Sequence, residues 1–183
     1  MNGPSTAATV RSSLSALPPA AGRPRVFVCL HRAPGFIGAL IRWQQRGDWS
    51  HASLLFPGLG VIEAREFAGV RALPALAPRP GERIDVFRVA GLTPAQEGEV
   101  FAFAQRQLGK PYDYTMVARV VSRRDAARKE SGKWFCSELA YAAFRSAGAN
   151  LFRGTEPWEV SPGLLARSPL LHLVEIIHPS HEK

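Results

Sequence analysis

The chain has 183 residues, the span of one domain, and 46% of them are apolar, enough for one substantial core. No run of 18 or more apolar residues occurs, so no segment has the length of a membrane-crossing helix. The net charge of +8, carried mostly by arginine, fits attraction to lipid head groups, cell-wall carboxylates or nucleic acid, or an arginine-rich composition with no partner behind it.

Residues 1–22 are small, polar and rich in Pro, Ala and Ser, with only Leu14 and Leu17 to anchor them, and are expected to form a disordered lead-in. They lack the charged head and unbroken apolar stretch of a secretory signal, so the expected location is the cytoplasm, or outside it by a route needing no signal peptide. A single domain is expected over 23–178, with a tail at 179–183. Arg25 to His31 is a first strand, rich in β-branched and aromatic residues. Gly35 to Gln45 carries Phe36, Ile37, Leu40, Ile41 and Trp43 at roughly helical spacing. Ser50 to Phe56 and Gly60 to Phe67 are two apolar runs around Pro57-Gly58-Leu59-Gly60 and form a hairpin. Arg83 to Val89 alternates polar and apolar residues as a half-buried strand does.

Thr93-Pro94-Ala95-Gln96 starts a helix, with Thr93 as cap, Pro94 at the first helical position and Gln96 completing a capping box. Val100, Phe101, Ala104 and Leu108 mark its apolar face, and Gly109 ends it. The stretch 119–133 holds Arg119, Arg123, Arg124, Arg128, Lys129 and Lys133, either a solvated loop or a guide for an anionic substrate. Cys136 to Ala147 is a second helix, stopped by Gly148. Leu171 to Ile177 is a last strand. Strands, then helices, then a strand predict an α+β domain with a largely antiparallel sheet.

Two cysteines give no disulfide framework, and no Cys or His pair has ligand spacing in a plausible context, so neither metal nor cofactor is expected. Cys29 lies in the apolar run Val26-Phe27-Val28-Cys29-Leu30 and is expected to be a buried inert thiol. Cys136 follows Lys133-Trp134-Phe135 at a helix mouth, where free N–H groups and the helix dipole favour a thiolate. A thiolate nucleophile needs a base and a group to orient it. Among five histidines, His51 alone starts an apolar strand. Glu63, inside Val61-Ile62-Glu63-Ala64, is a carboxylate that needs a partner. A five-residue hairpin loop pairs His51 with Arg65 and puts Glu63 on the face of His51; a four-residue loop puts Glu66 opposite His51 instead.

Four ordered blocks, Trp49-Ser50-His51-Ala52-Ser53, Val61-Ile62-Glu63-Ala64, Gly109-Lys110-Pro111-Tyr112-Asp113-Tyr114 and Trp134-Phe135-Cys136-Ser137-Glu138-Leu139, resemble those of the permuted NlpC-type hydrolases, the YiiX/YaeF-like proteins, in which histidine precedes cysteine. The resemblance runs from about Arg25 to Leu171. It implies a papain-like core, a small antiparallel sheet packed against the nucleophile helix. It also implies Cys136 as nucleophile, His51 as general base and Glu63 as the residue orienting the imidazole. Tyr112 and the Cys136 backbone N–H are implied as oxyanion or substrate-binding donors.

The reaction so implied is cleavage of an amide or peptide bond through a thioester, on an amide- or ester-bearing substrate such as a cell-wall peptide or a lipid. Lipid acyl transfer or phospholipase chemistry of the lecithin:retinol acyltransferase-like type is a second reading, although those relatives usually carry histidine where Glu63 stands. A basic anion- or nucleic-acid-binding domain is the non-enzymatic third. The aromatics are scattered and no basic helix stands out, so specific nucleic-acid binding is not expected.

Overall fold

A computed structural model describes residues 25–32, 48–115 and 132–178. The expected lead-in 1–22, the helical pattern Gly35–Gln45, nearly all of the basic stretch and the tail 179–183 lie outside the described residues.

Six antiparallel strands form one sheet, in the order β4-β3-β2-β1-β5-β6. They are β1 (Phe27–Arg32), β2 (His51–Phe56), β3 (Gly60–Arg65), β4 (Gly69–Leu73), β5 (Arg83–Val89) and β6 (Leu171–Ile177). The α-helices among the described residues are α1 (Pro94–Arg106), α2 (Cys136–Ser146) and the single turn α3 (Pro162–Leu165).

Alternation along the strands sends side chains to two faces. Val28, Leu30, Ala52, Leu54, Phe56, Ile62 and Ala64 face the helices and form the main core with Val100, Ala104, Leu139, Ala143 and Phe144. Phe27, Cys29, Leu55, Val61, Ile84 and Val86 face the other way, under Leu76 from the β4–β5 connection. Cys29 is fully buried there. The antiparallel α+β reading therefore holds.

The local signals are realised in detail. Thr93 caps α1 and exchanges hydrogen bonds with Gln96. Gly109 and Gly148 take positive φ just beyond the two long helices, as the left-handed stop requires. The strand expected to run to Phe67 stops at Arg65, because Phe67 turns the chain with φ 63°. β4 then returns along β3, a strand the sequence reading did not contain. Its Gly69 is required: a Cβ there would sit 2.4 Å from the Lys110 carbonyl oxygen, on a backbone with φ 70°. That close approach seats the segment carrying Tyr112 beside β4, where the Val70 N–H donates to the Lys110 carbonyl at 2.8 Å.

Candidate active site

The β2–β3 register joins Leu54 to Ile62, Leu55 to Val61 and Phe56 to Gly60. Continued along the strands, it sets His51 opposite Arg65 and puts His51 and Glu63 on one face, the five-residue-loop alternative. The His51 Nε2 and a Glu63 carboxylate oxygen lie 2.6 Å apart, both side chains buried. Glu66 is instead paired with Arg65 at 3.5 Å.

Glu63 is held by more than histidine. Arg71 on β4 donates through Nε and Nη2 to its other oxygen at 3.0 and 2.7 Å, and Arg65 Nη1 lies 3.7 Å away. Burial alone would raise the carboxyl pKa. The hydrogen bond from His51, with Arg71 and Arg65, overcomes it and holds Glu63 well below the usual carboxylate range. For His51 burial is the leading influence and lowers its pKa; Glu63 pulls it up, while His31 and Arg65 add to the lowering. The net result is a neutral imidazole beside an ionised carboxylate. A carboxylate only accepts, so Nε2 carries the proton and Nδ1 keeps its lone pair.

Cys136 opens α2. Burial pushes its thiol up to about 12, against backbone N–H groups of Ala52 and Ser137 aimed at the sulfur. The ladder pairs of β2 and β3 begin at Leu54 and Ile62. The strands part toward His51, and the Ala52 N–H is left to face the sulfur. The thiol thus sits at the mouth of α2, against the parting of β2 from β3, beside the residue that follows His51. Burial thus outweighs the helix mouth that favours a thiolate: both groups are desolvated, and the two arginines absorb much of the Glu63 charge that would support an imidazolium.

Ala52 packs in the core with Cys136, whereas the His51 side chain leaves β2 on the other face. Among the hydrogen bonds of the described residues none joins the His51 ring to the Cys136 thiol. Tyr112 lies in the Cys136 core cluster, and its buried hydroxyl has no hydrogen-bond partner among the described residues. Burial raises the Tyr112 pKa and the nearby thiol raises it further. Glu138 accepts from the Phe135 N–H at 3.2 Å and Ser137 donates to the Val160 carbonyl at 2.6 Å, so both fix the start of α2.

Sequence reasoning missed the polar layer behind His51. The His31 ring stands edge-on to it with centroids 5.0 Å apart, held by Ser53 Oγ at Nε2 (2.8 Å) and Glu82 at Nδ1 (3.1 Å). Arg71 was missed with β4. His31 had a signal, since it ends a strand that could pair with the one His51 begins.

No protein-family model matches the sequence, and none of the curated proteins compared with it does. Among solved structures, the crystal structure of the metalloprotein YiiX from Escherichia coli O157:H7 is similar: TM-score 0.51, 18% identity, covering 84% of this chain and 97% of that one. The described residues of this chain gather no three His, Cys, Asp or Glu side chains as a metal ion would need. None of the described helices is long and apolar enough to cross a membrane. The chain therefore shares the fold of YiiX.

Proposed function

We propose that the protein is a cysteine hydrolase with a permuted papain-like core, cleaving an amide or peptide bond through a thioester at Cys136. The observation that carries this reading is the thiol at the mouth of α2, against the parting of β2 from β3, with a buried and oriented His51–Glu63 pair on the far side of those strands. The YiiX-like fold supports the permuted arrangement.

The neutral resting pair defines the order of events. As the sulfur attacks the carbonyl carbon, His51 Nδ1 takes the thiol proton, so charge develops only with bond formation. This requires the imidazole to reach the thiol across the parting of the strands, a contact that the resting structure does not make and that substrate binding has to form. The tetrahedral oxyanion is held by the Cys136 N–H and the Tyr112 hydroxyl, which has no competing partner among the described residues. The imidazolium then gives its proton to the leaving nitrogen as the C–N bond breaks. Water attacks the thioester with His51 again as base, the C–S bond breaks, and the thiol regains its proton. Throughout, Glu63 fixes the tautomer and plane of the ring.

Cys136→Ala should abolish turnover of amide substrates and formation of an acyl adduct in intact-mass spectra, with an unchanged circular dichroism spectrum. Full turnover by this variant would end the proposal.

A further inference from the structure

The face of the sheet turned away from Cys136 holds a serine, a histidine and a glutamate in one hydrogen-bonded series. Ser53 Oγ lies 2.8 Å from His31 Nε2, and His31 Nδ1 lies 3.1 Å from a Glu82 carboxylate oxygen. All three residues are buried. His31 stands opposite His51 in the β1–β2 ladder, and Ser53 follows two residues along β2, so both project to the same face. Glu82 is placed by a tight turn, in which Pro80 and the positive-φ Gly81 bring the Glu82 N–H to the Arg79 carbonyl at 2.9 Å. The Arg79 N–H donates in turn to the second Glu82 oxygen at 2.8 Å.

The direction of each proton follows. Burial works against an ionised Glu82, but the hydrogen bonds from His31 and the Arg79 N–H, with the Arg79 charge, hold its pKa below the ordinary value. A carboxylate only accepts, so His31 carries its proton on Nδ1 and offers the Nε2 lone pair to the Ser53 hydroxyl. The Cys29 thiol also meets Ser53, but burial pushes its pKa far up, so it stays protonated and takes no proton from the serine. The other buried serines among the described residues donate to main-chain carbonyls: Ser50 to His31 at 3.3 Å, Ser137 to Val160 at 2.6 Å and Ser168 to Leu151 at 3.0 Å. Those bonds fix the backbone, whereas the Ser53 hydroxyl meets a base.

Ser53, His31 and Glu82 line a cavity of about 70 Å³ between this face and the β4–β5 connection, with Arg65, Arg71 and Arg79 around it. Ala77 and Arg79 at its rim are exposed. We infer that Ser53 is a second nucleophile, with His31 as its base and Glu82 orienting the imidazole, and that it takes a short acyl group from an anionic leaving group. The cavity has room for roughly two waters at their share of liquid volume, which suits an acetyl group and excludes a long chain. Its three arginines outnumber its two glutamates and favour an anion such as the phosphate of an acyl phosphate. As Ser53 Oγ bonds to the carbonyl carbon, its proton passes to His31 Nε2. The bond from that carbon to the phosphate oxygen then breaks, and phosphate leaves with the electron pair. Water attacks the serine ester, the C–Oγ bond breaks, and Oγ recovers a proton through Nε2.

The test uses full-length Cys136→Ala, which removes the other nucleophile, treated with methanesulfonyl fluoride and followed by site-resolved mass spectrometry. Oγ–S bond formation expels fluoride and His31 takes the proton. Ser53 should be sulfonylated about 100-fold faster than Ser137, and His31→Gln should remove most of that difference with an unchanged circular dichroism spectrum. Folded Cys136→Ala protein that leaves Ser53 unlabelled overturns the inference, whether or not the His31→Gln variant folds. Labelling of Ser53 at the same rate in His31→Gln overturns it as well. Acetyl phosphate offered to Cys136→Ala should release acetate in excess of its spontaneous hydrolysis, and added Ser53→Ala should abolish the excess; equal release by the two proteins overturns the substrate class. None of these results bears on Cys136, so the hydrolase reading stands or falls separately.

Discussion

Tyr112 presents a test in which stability and activity move in opposite directions. Its hydroxyl is buried without a partner among the described residues, and such a group costs about 1–3 kcal/mol. Tyr112→Phe should therefore raise the melting temperature while lowering kcat about 10²-fold through loss of an oxyanion donor. Lower stability together with unchanged kcat would show a structural role only. Glu63→Gln should slow acylation by roughly tenfold, short of the loss for Cys136→Ala, since orientation is one part of general-base catalysis. In alkylation-against-pH profiles, Glu63→Gln should depart from the wild type and Glu66→Gln should superimpose on it. The type of Glu63 was legible from its place in an apolar strand. Its two arginines were not, because Arg71 reaches it only through a strand pairing that no local pattern announces.

At the scale of elements, caps and stops were readable because they depend on neighbours in sequence: Thr93 with Gln96, Gly109, Gly148. The register of β2 against β3 was not, since both hairpin loops satisfy the same apolar pattern, and one residue of slip would move Glu63 to the opposite face. Glycine gives the matching experiment. Gly69→Ala places a Cβ against the Lys110 carbonyl at positive φ and should cost about 2 kcal/mol or more, and kcat should fall because the Tyr112 segment shifts. Gly98→Ala, in α1 with open space around it, should stabilise by about 0.5–1 kcal/mol. Equal effects in thermal melts would show that β4 does not hold the Tyr112 segment in place.

At the scale of the whole molecule, one sheet separates a helix-covered face that carries the thiol from a second face that carries two His–Glu pairs. α+β architecture was legible from the order of elements, but the second face was not, because its polar residues meet only across strands. Buried ionisable groups on both sides bound the stable pH range. His51 binds its proton less readily folded than at its ordinary 6.5, so the unfolded chain takes protons first and stability falls as pH drops below that value. Glu63, depressed from 4.5, adds a second loss below it. Cys136, raised from 9.0 to about 12, keeps its proton longer when folded, so stability is lost as pH climbs from 9 toward 12. That loss is at most about 1.4 kcal/mol per pH unit for one thiol, and Cys136→Ser should reduce the alkaline slope of urea midpoints.

The account stands most directly on the dependence of the Cys136 thiol on His51, which the rate of iodoacetamide alkylation measures at each cysteine across pH 5–10. The predicted result is faster labelling at Cys136 than at Cys29, with a Cys136 rate near neutrality that falls about tenfold or more in His51→Gln. Equal labelling of the two cysteines, or a Cys136 profile that His51→Gln leaves unchanged, would contradict it.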